Sequence, residues 1–443
     1  MSRPSHVFPA VIASAPNPEV INHTGWPAQY FQHVDPYGDI FHVVVARVTY
    51  SLPAFTGKEI GLPTLLPPEK QTPLCEADEF AGEINASSLI QESDYAPYKP
   101  KCDVLLVNAT AYSPGGKPMG RWPVGFRFGN AIEKYLQVTG PRLYKQPLSA
   151  LGGYVLGEPA ACTSVPVCYE LAFGGPNLEA EASILNAYAE TKEPTETAQA
   201  QARASRQLMD ELPARYQANP IGCGRGIKSI DRTRQSLARI KTASVPRQQQ
   251  TQGQIEQKPL LAPQIEQFKN PYRGQRDYPV VGFGPIGRWW SPRMRLAGTH
   301  DTRWKQTQWP KSPLDHDYRY WNCAPEDQQI DYPQGGEEIV LAHLTRQSAM
   351  EGRADRLILP KQDLQLLVRL NVGVLMFAPM HIDTLIIDFK ANTLSVVRRA
   401  TVSAKTQVRQ LELGTWPAGT VMELDEADRQ NALAHVRERE GRG

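Results

Sequence analysis

Residues 280–304 read VVGFGPIGRWWSPRMRLAGTHDTRW, and the alternation of glycine and proline there constrains the fold more than any other stretch. Gly282, Gly284 and Gly287 have the G-x-G-x-x-G spacing of a dinucleotide-binding turn. Such a turn needs a helix that begins at the glycines and aims its amides and dipole at a pyrophosphate. Here Pro285 stands between the glycines, Trp289 and Trp290 follow, and Pro292 comes next. Proline removes an amide donor and crowds the preceding turn, so a long helix cannot run through this spacing. No acidic residue stands about 20 positions on in a following strand, where a ribose hydroxyl would need it. The stretch reads as a tight, aromatic, proline-pinned loop that seats Trp289 and Trp290.

The rest of the chain agrees with a β-rich reading. Its 38 prolines in 443 residues disfavour long helices and favour short strands joined by pinned loops. Residues 41–50 (FHVVVARVTY) are largely β-branched and aromatic, and 104–111 form a second strong strand. Residues 122–128 place Val124, Phe126 and Phe128 on one face, and 132–138 place Ile132, Leu136 and Val138 inward. Pro114-Gly115-Gly116 and Gly129-Asn130 supply turn chemistry. Strands return at 339–344, 364–370 and 373–377, and 384–398 is a hairpin around Lys390-Ala391-Asn392. The fold expected is mainly β (α+β), with antiparallel sheets or a sandwich, long loops and a helical insertion near 178–218.

Four parts follow. Residues 1–176 form an N-terminal β-rich part, and 271–420 a C-terminal one packed on it. Between them, 177–270 is a helical, charged and flexible insertion. Residues 177–211 carry seven acidic and three basic residues, whereas 225–250 carry seven basic and one acidic. Residues 421–443 are a C-terminal helix and tail, with Asp425 as N-cap and Leu433 and Val436 on one side.

Bulk charge is +2, which gives no general attraction to nucleic acid or membrane. The basic run at 225–250 lacks interleaved aromatics for base stacking. The six cysteines form no C-x-x-C, and the closest pair has five residues between, so they read as reduced thiols. The N-terminal residues lack the pattern of a secretion signal, and the longest apolar run is too short to span a bilayer. A cytoplasmic protein is expected.

Three kinds of chemistry are weighed. His300-Asp301 and Asp315-His316-Asp317 could hold a metal for hydrolysis, yet no fixed ligand spacing accompanies them. Glu92 and Asp94 could act as an acid–base pair. The alternating signs of Asp94, Lys99, Lys101 and Asp103 instead suggest an extended segment held by charge pairs. Trp289, Trp290, Trp304, Trp309 and Trp321 could line a carbohydrate- or protein-binding surface. No catalytic, cofactor-binding or metal-ligating residue is assigned.

Residues 92–106 (ESDYAPYKPKCDVLL), 172–175 (AFGG), 219–224 (NPIGCG), 282–304 and 324–329 (APEDQQ) occur in this order. Residues 35–52 and 381–399 fit beside them. Together they resemble the bacterial family called domain of unknown function 2169, over roughly residues 20–400. The resemblance implies a non-enzymatic adaptor or chaperone of type VI secretion. It would bind a toxic effector and help load it onto the spike or its PAAR or PAAR-like tip. Asp94, Tyr95, Pro97, Lys99, Trp289, Trp290, Asp301 and Trp304 are the motif residues taken as candidates for partner binding. About 40 extra residues between AFGG and NPIGCG, and more after Gly226, depart from the pattern and are expected to form a partner-specific arm.

Overall fold

The computed structural model describes residues 15–145, 155–175, 215–223, 261–275, 277–417 and 419–440. The expected helical insertion up to residue 214, and the basic and glutamine-rich stretches of 224–260, lie outside the described residues.

The protein is mainly β. A seven-stranded sheet runs in the order Gln329–Ile330, Cys102–Val107, His381–Asp388, Thr393–Ser403, Ile40–Ser51 and Ala28–Val34, with Thr64–Leu65 paired beside Ile40–Ser51. A six-stranded sheet runs Ile265–Gln267, Ile132–Thr139, Arg121–Phe128, Glu338–Ala342, Ala354–Ile358 and Ile60–Gly61. Four further strands join Glu19–Asn22, Val408–Thr415, Leu364–Leu370 and Leu375–Pro379. Pairing is mostly antiparallel, but Cys102–Val107 lies parallel to His381–Asp388 and Glu19–Asn22 parallel to Val408–Thr415. Strands from the first and last thirds of the chain therefore share hydrogen-bonded ladders.

The apolar-rich run at 41–50 has a plain cause: its strand is covered on both faces. Val44, Ala46, Val48 and Tyr50 face the main core, together with Val104 and Leu106, Trp122, Phe126 and Phe128. On the opposite face Val43, Val45, Arg47 and Thr49 are also buried. A strap formed by residues 71–101 covers them. Its contacts are polar: Arg47 donates to the Pro73 carbonyl at 2.9 Å, and the Thr401 hydroxyl donates to the Pro97 carbonyl at 3.2 Å.

Turns end the strands where glycine or asparagine enters the left-handed region. Asn108, at φ 53°, stops the strand expected to reach 111 at Val107. Asn392, at φ 56°, closes the 381–403 hairpin, and the Asp388 carboxylate accepts the amides of Lys390 and Ala391. Val124, Phe126, Phe128, Ile132, Leu136 and Val138 all point into the core. Lys134 shares that face and is buried too. Its ammonium escapes the apolar layer by bonding Asp327 at 2.6 Å and Gln328 at 2.7 Å.

The C-terminal helix spans Glu426–Glu440, with the Asp425 carboxylate accepting the Asp428 amide at 2.7 Å. Leu433 and Val436 are exposed. Asp428 holds the helix down instead: fully buried, it pairs with Arg369 and Arg409.

Candidate functional site

The motif segments, far apart in sequence, meet in one place. Within residues 92–99 of the strap, Glu92, Asp94, Ala96, Pro97 and Lys99 turn inward. Three of those five carry charge. A charge taken from water this way must be paired and hydrogen-bonded.

Each is. The Glu92 carboxylate takes two bonds from the Arg293 guanidinium, at 2.7 and 3.2 Å, and an ion pair from Arg288. Arg293 sits in the short helix Ser291–Met294 and also donates to the carbonyls of Tyr320 and Ile286. Asp94 accepts the Cys75 amide at 2.8 Å, returns its own amide to the Cys75 carbonyl, and lies 3.4 Å from Arg47. Lys99 donates to Asp103 and to the Thr384 hydroxyl, both at 2.9 Å. Burial opposes the Lys99 charge most strongly, but Asp103 together with the other acidic groups around it, among them Asp383 and Glu92, outweighs burial and holds the ammonium above its ordinary pKa.

Asp103 is the centre of this hub, with 0% of its surface exposed. Besides Lys99 it accepts from the Asn322 amide group, from the Cys323 amide and from the Ala324 amide, at 3.0–3.1 Å. One carboxylate thus joins the strap to the 322–324 loop. Gln328 continues the link, donating to the carbonyls of Val104 and Phe283. The Cys323 thiol beside it is pushed far up by burial, which leaves it protonated.

The 172–175 and 219–223 segments interlock next to the hub. Asn219 donates to the carbonyls of Tyr169 and Phe173, and the Gly175 amide donates to the Asn219 carbonyl. Gly174 has φ +146°, and a Cβ there would lie 2.2 Å from the Asn219 carbonyl oxygen. Only glycine fits so close a crossing. The 282–290 loop closes the same region. A Cβ on Gly282 would strike the Tyr169 ring at 2.7 Å, and one on Gly287 the Trp290 indole at 2.9 Å. Trp290 is buried edge-on to Tyr169 with centroids 5.1 Å apart, while Trp289 is half-buried against the same core. These glycines hold negative or extended backbone and make room for rings, as expected of a loop that seats the two tryptophans.

Gly284 differs. Nothing lies within 3.9 Å of where its Cβ would be. It borders a cavity of about 330 Å3 lined also by Ser88, Leu106, Val167, Cys168 and Tyr169. The Cys168 thiol there is pushed up to about 12 by burial and by Glu170, so it is no ready nucleophile.

The remaining candidates occupy the surface loop that follows. Asp301 caps the helix Thr302–Thr307, accepting the Trp304 amide at 2.7 Å. Trp304 is half-buried and its indole N–H donates to the Lys311 carbonyl. Asp315 accepts from the Thr299 amide and hydroxyl, and Asp317 from Arg319. Each carboxylate of the proposed metal cluster is thus committed to local backbone or to arginine. Among the described residues, no three His, Cys, Asp or Glu side chains stand together as metal ligands. Tyr95 is half-buried with its ring 5.6 Å from Phe31. Of the eight candidates, Asp94, Pro97, Lys99 and Trp290 are buried, and none of these four can touch a partner directly.

The sequence reading took the charges of 92–103 as local pairs. It did not find Arg293, Asn322 or Thr384 as their partners. The available signal was the excess of charge in a segment flanked by apolar strands, since buried charges require partners elsewhere in the chain.

No curated protein and no solved structure matches the chain. Among the described residues no helix is long and apolar enough to cross a membrane. A family model described as an uncharacterized protein conserved in bacteria, DUF2169, matches residues 38–399, which include all the motif segments of the hub and the loop. The chain belongs to the DUF2169 family.

Proposed function

We infer that the protein is a non-enzymatic adaptor or chaperone that binds a type VI secretion effector and helps load it onto the spike or PAAR-type tip. One observation supports this reading above the others: the charged and polar residues of the motif segments are consumed in holding the fold. Glu92, Asp94, Lys99 and Asp103 bond to arginine, backbone or each other inside the protein. Catalysis needs such groups presented at a cleft with a proton or a charge to offer. A rigid scaffold with charge locked inside and aromatic loops outside suits binding another protein. The motif resemblance supplies the biological setting.

The test is co-expression of the tagged chain with the effector and tip proteins encoded beside it. A stable 1:1 or higher complex that survives size-exclusion chromatography is expected. Failure of every neighbouring effector and tip protein to co-elute overturns the reading.

A further inference from the structure

The loop 291–321 presents apolar side chains to water on a braced frame. Met294 is 49% exposed, Trp309 48% and Leu314 54%. The frame beneath them is held by backbone and side-chain hydrogen bonds. The Trp309 amide donates to the Trp304 carbonyl at 3.0 Å, and the Trp304 indole to the Lys311 carbonyl at 2.9 Å. Asp315 clamps Thr299 through two bonds, at 2.9 and 2.7 Å. Arg293 anchors the start of the loop in the hub. An exposed tryptophan on a pre-braced loop loses little freedom on binding, which favours it as an anchor.

Charge on the same loop is one-sided once internal pairs are removed. Its six cations are Arg293, Arg295, Arg303, Lys305, Lys311 and Arg319. Arg293 is spent on Glu92 and Arg319 on Asp317. Arg295, Arg303, Lys305 and Lys311 have no carboxylate partner among the described residues; of the carboxylates, Asp317 is paired with Arg319, while Asp301 and Asp315 bond only neutral groups and keep their charge. Four unpaired cations against two carboxylates leave a positive excess on the loop that carries the exposed apolar groups.

We propose that residues 294–314 form the docking surface for an acidic segment of a partner protein, anchored by an apolar side chain against Trp309 and Leu314 and steered by Arg295, Arg303, Lys305 and Lys311. This rests on the adaptor reading and gives it a place on the molecule. Single-stranded nucleic acid also likes cations beside an aromatic ring. Met294 and Leu314 are aliphatic and offer no stacking plane for bases, so an acidic peptide with an apolar anchor fits better.

The experiment uses the full chain and the neighbouring effector that co-elutes with it. Affinity is measured for wild type, Trp309→Ala and the double variant Arg303→Glu/Lys305→Glu, at low and high salt. Trp309→Ala should weaken binding at least ten-fold. The charge reversal, at two exposed positions that cannot disturb the core, should also weaken it ten-fold at low salt, with the effect shrinking as salt rises. Equal affinity for all three proteins overturns the surface while leaving the adaptor reading intact. Absence of any wild-type complex removes both. Self-association that Trp309→Ala abolishes makes the loop a contact between copies and overturns the proposal, as does an oligonucleotide whose binding both variants lose.

Discussion

Asp103 and Asp301 lie in two segments built from similar residue types, one running from the end of the strap into the strand Cys102–Val107 and the other in the surface loop 291–321. The first carries Glu92, Asp94, Lys99 and Asp103 around Pro97 and Pro100; the loop carries Asp301, Asp315, Asp317 and several cations between prolines. In the first segment these four charges are buried: Glu92 reaches across the chain to Arg293, Asp94 lies beside Arg47, and Lys99 pairs with Asp103 close by. In the loop the carboxylates reach within 16 residues and stay at the surface. Long-range pairs fix how distant parts of the chain meet. Short-range caps fix only the shape of the loop. The difference separates what builds the protein from what it can show to another molecule.

The largest way to break that comparison is to remove each aspartate in turn. Asp103→Ala strands the Lys99 ammonium in the interior and leaves three amide donors unmatched. Breaking a buried pair from one side costs about 3–5 kcal/mol, so soluble yield and the urea midpoint should both fall steeply. Asp301→Ala removes one helix cap, worth about 1 kcal/mol, and should leave yield unchanged. Equal losses in urea titrations of the two variants would erase the distinction.

A smaller effect is expected inside the 282–290 loop, where two neighbouring glycines should behave differently. Gly282→Ala drives a methyl into the Tyr169 ring and should cost about 1–3 kcal/mol, the usual penalty of overpacking. Gly284→Ala projects the same methyl into the cavity and should be close to neutral, because its nearest neighbour is 3.9 Å away. Thermal melts of the two variants decide this. If Gly284→Ala is the worse of the pair, the cavity is not open space.

Much of the frame was legible in the sequence, and the reasons are local. The run at 41–50, the alternation at 122–138 and the 384–398 hairpin announce themselves through β-branching, period two and an asparagine in the turn. The sequence reading extended the second strand to 111 because nothing in the letters of Asn108 marks it as left-handed. The hub was only half legible. Glu92 and Asp103 could be seen as charges in an awkward place, but Arg293 and Asn322 lie 200 residues or more away, and only tertiary folding selects them. Lys134 escaped for the same reason. Its position in a period-two pattern put it in the core, yet a lysine there makes sense only once Asp327 and Gln328 are known to stand opposite. The five tryptophans from 289 to 321 look alike in the sequence, and the structure divides them: Trp290 is core, Trp289, Trp304 and Trp321 are half-buried, and Trp309 faces water.

The smallest expected effect lies where the loop leans on the seven-stranded sheet, and it sharpens the contrast through pH. His33 projects from Ala28–Val34 and bonds the Tyr318 hydroxyl at 3.1 Å. Burial lowers its pKa from 6.5 to about 4; Asp35 opposes the shift and His316 adds to it. Above pH 6.5 the ring is neutral in folded and unfolded chains alike, and it imposes no penalty. As pH falls below 6.5 the unfolded chain takes up a proton that the folded one refuses until about 4, so stability declines across that window and then levels. His33→Gln retains a polar group for Tyr318 and cannot titrate. The urea midpoint of wild type should therefore drop relative to this variant between pH 6.5 and 4, and the two should keep a constant difference above 6.5. Because the ring is only half-buried, water and salt screen it and the drop should be modest. The Lys99 charge, held above its ordinary pKa, stays fixed through the same range, so the difference between wild type and His33→Gln should come from the loop's seat on the sheet while that hub charge is unmoved. A constant difference across the whole range would mean that His33 titrates like a solvent-exposed histidine and that the loop is seated by something else.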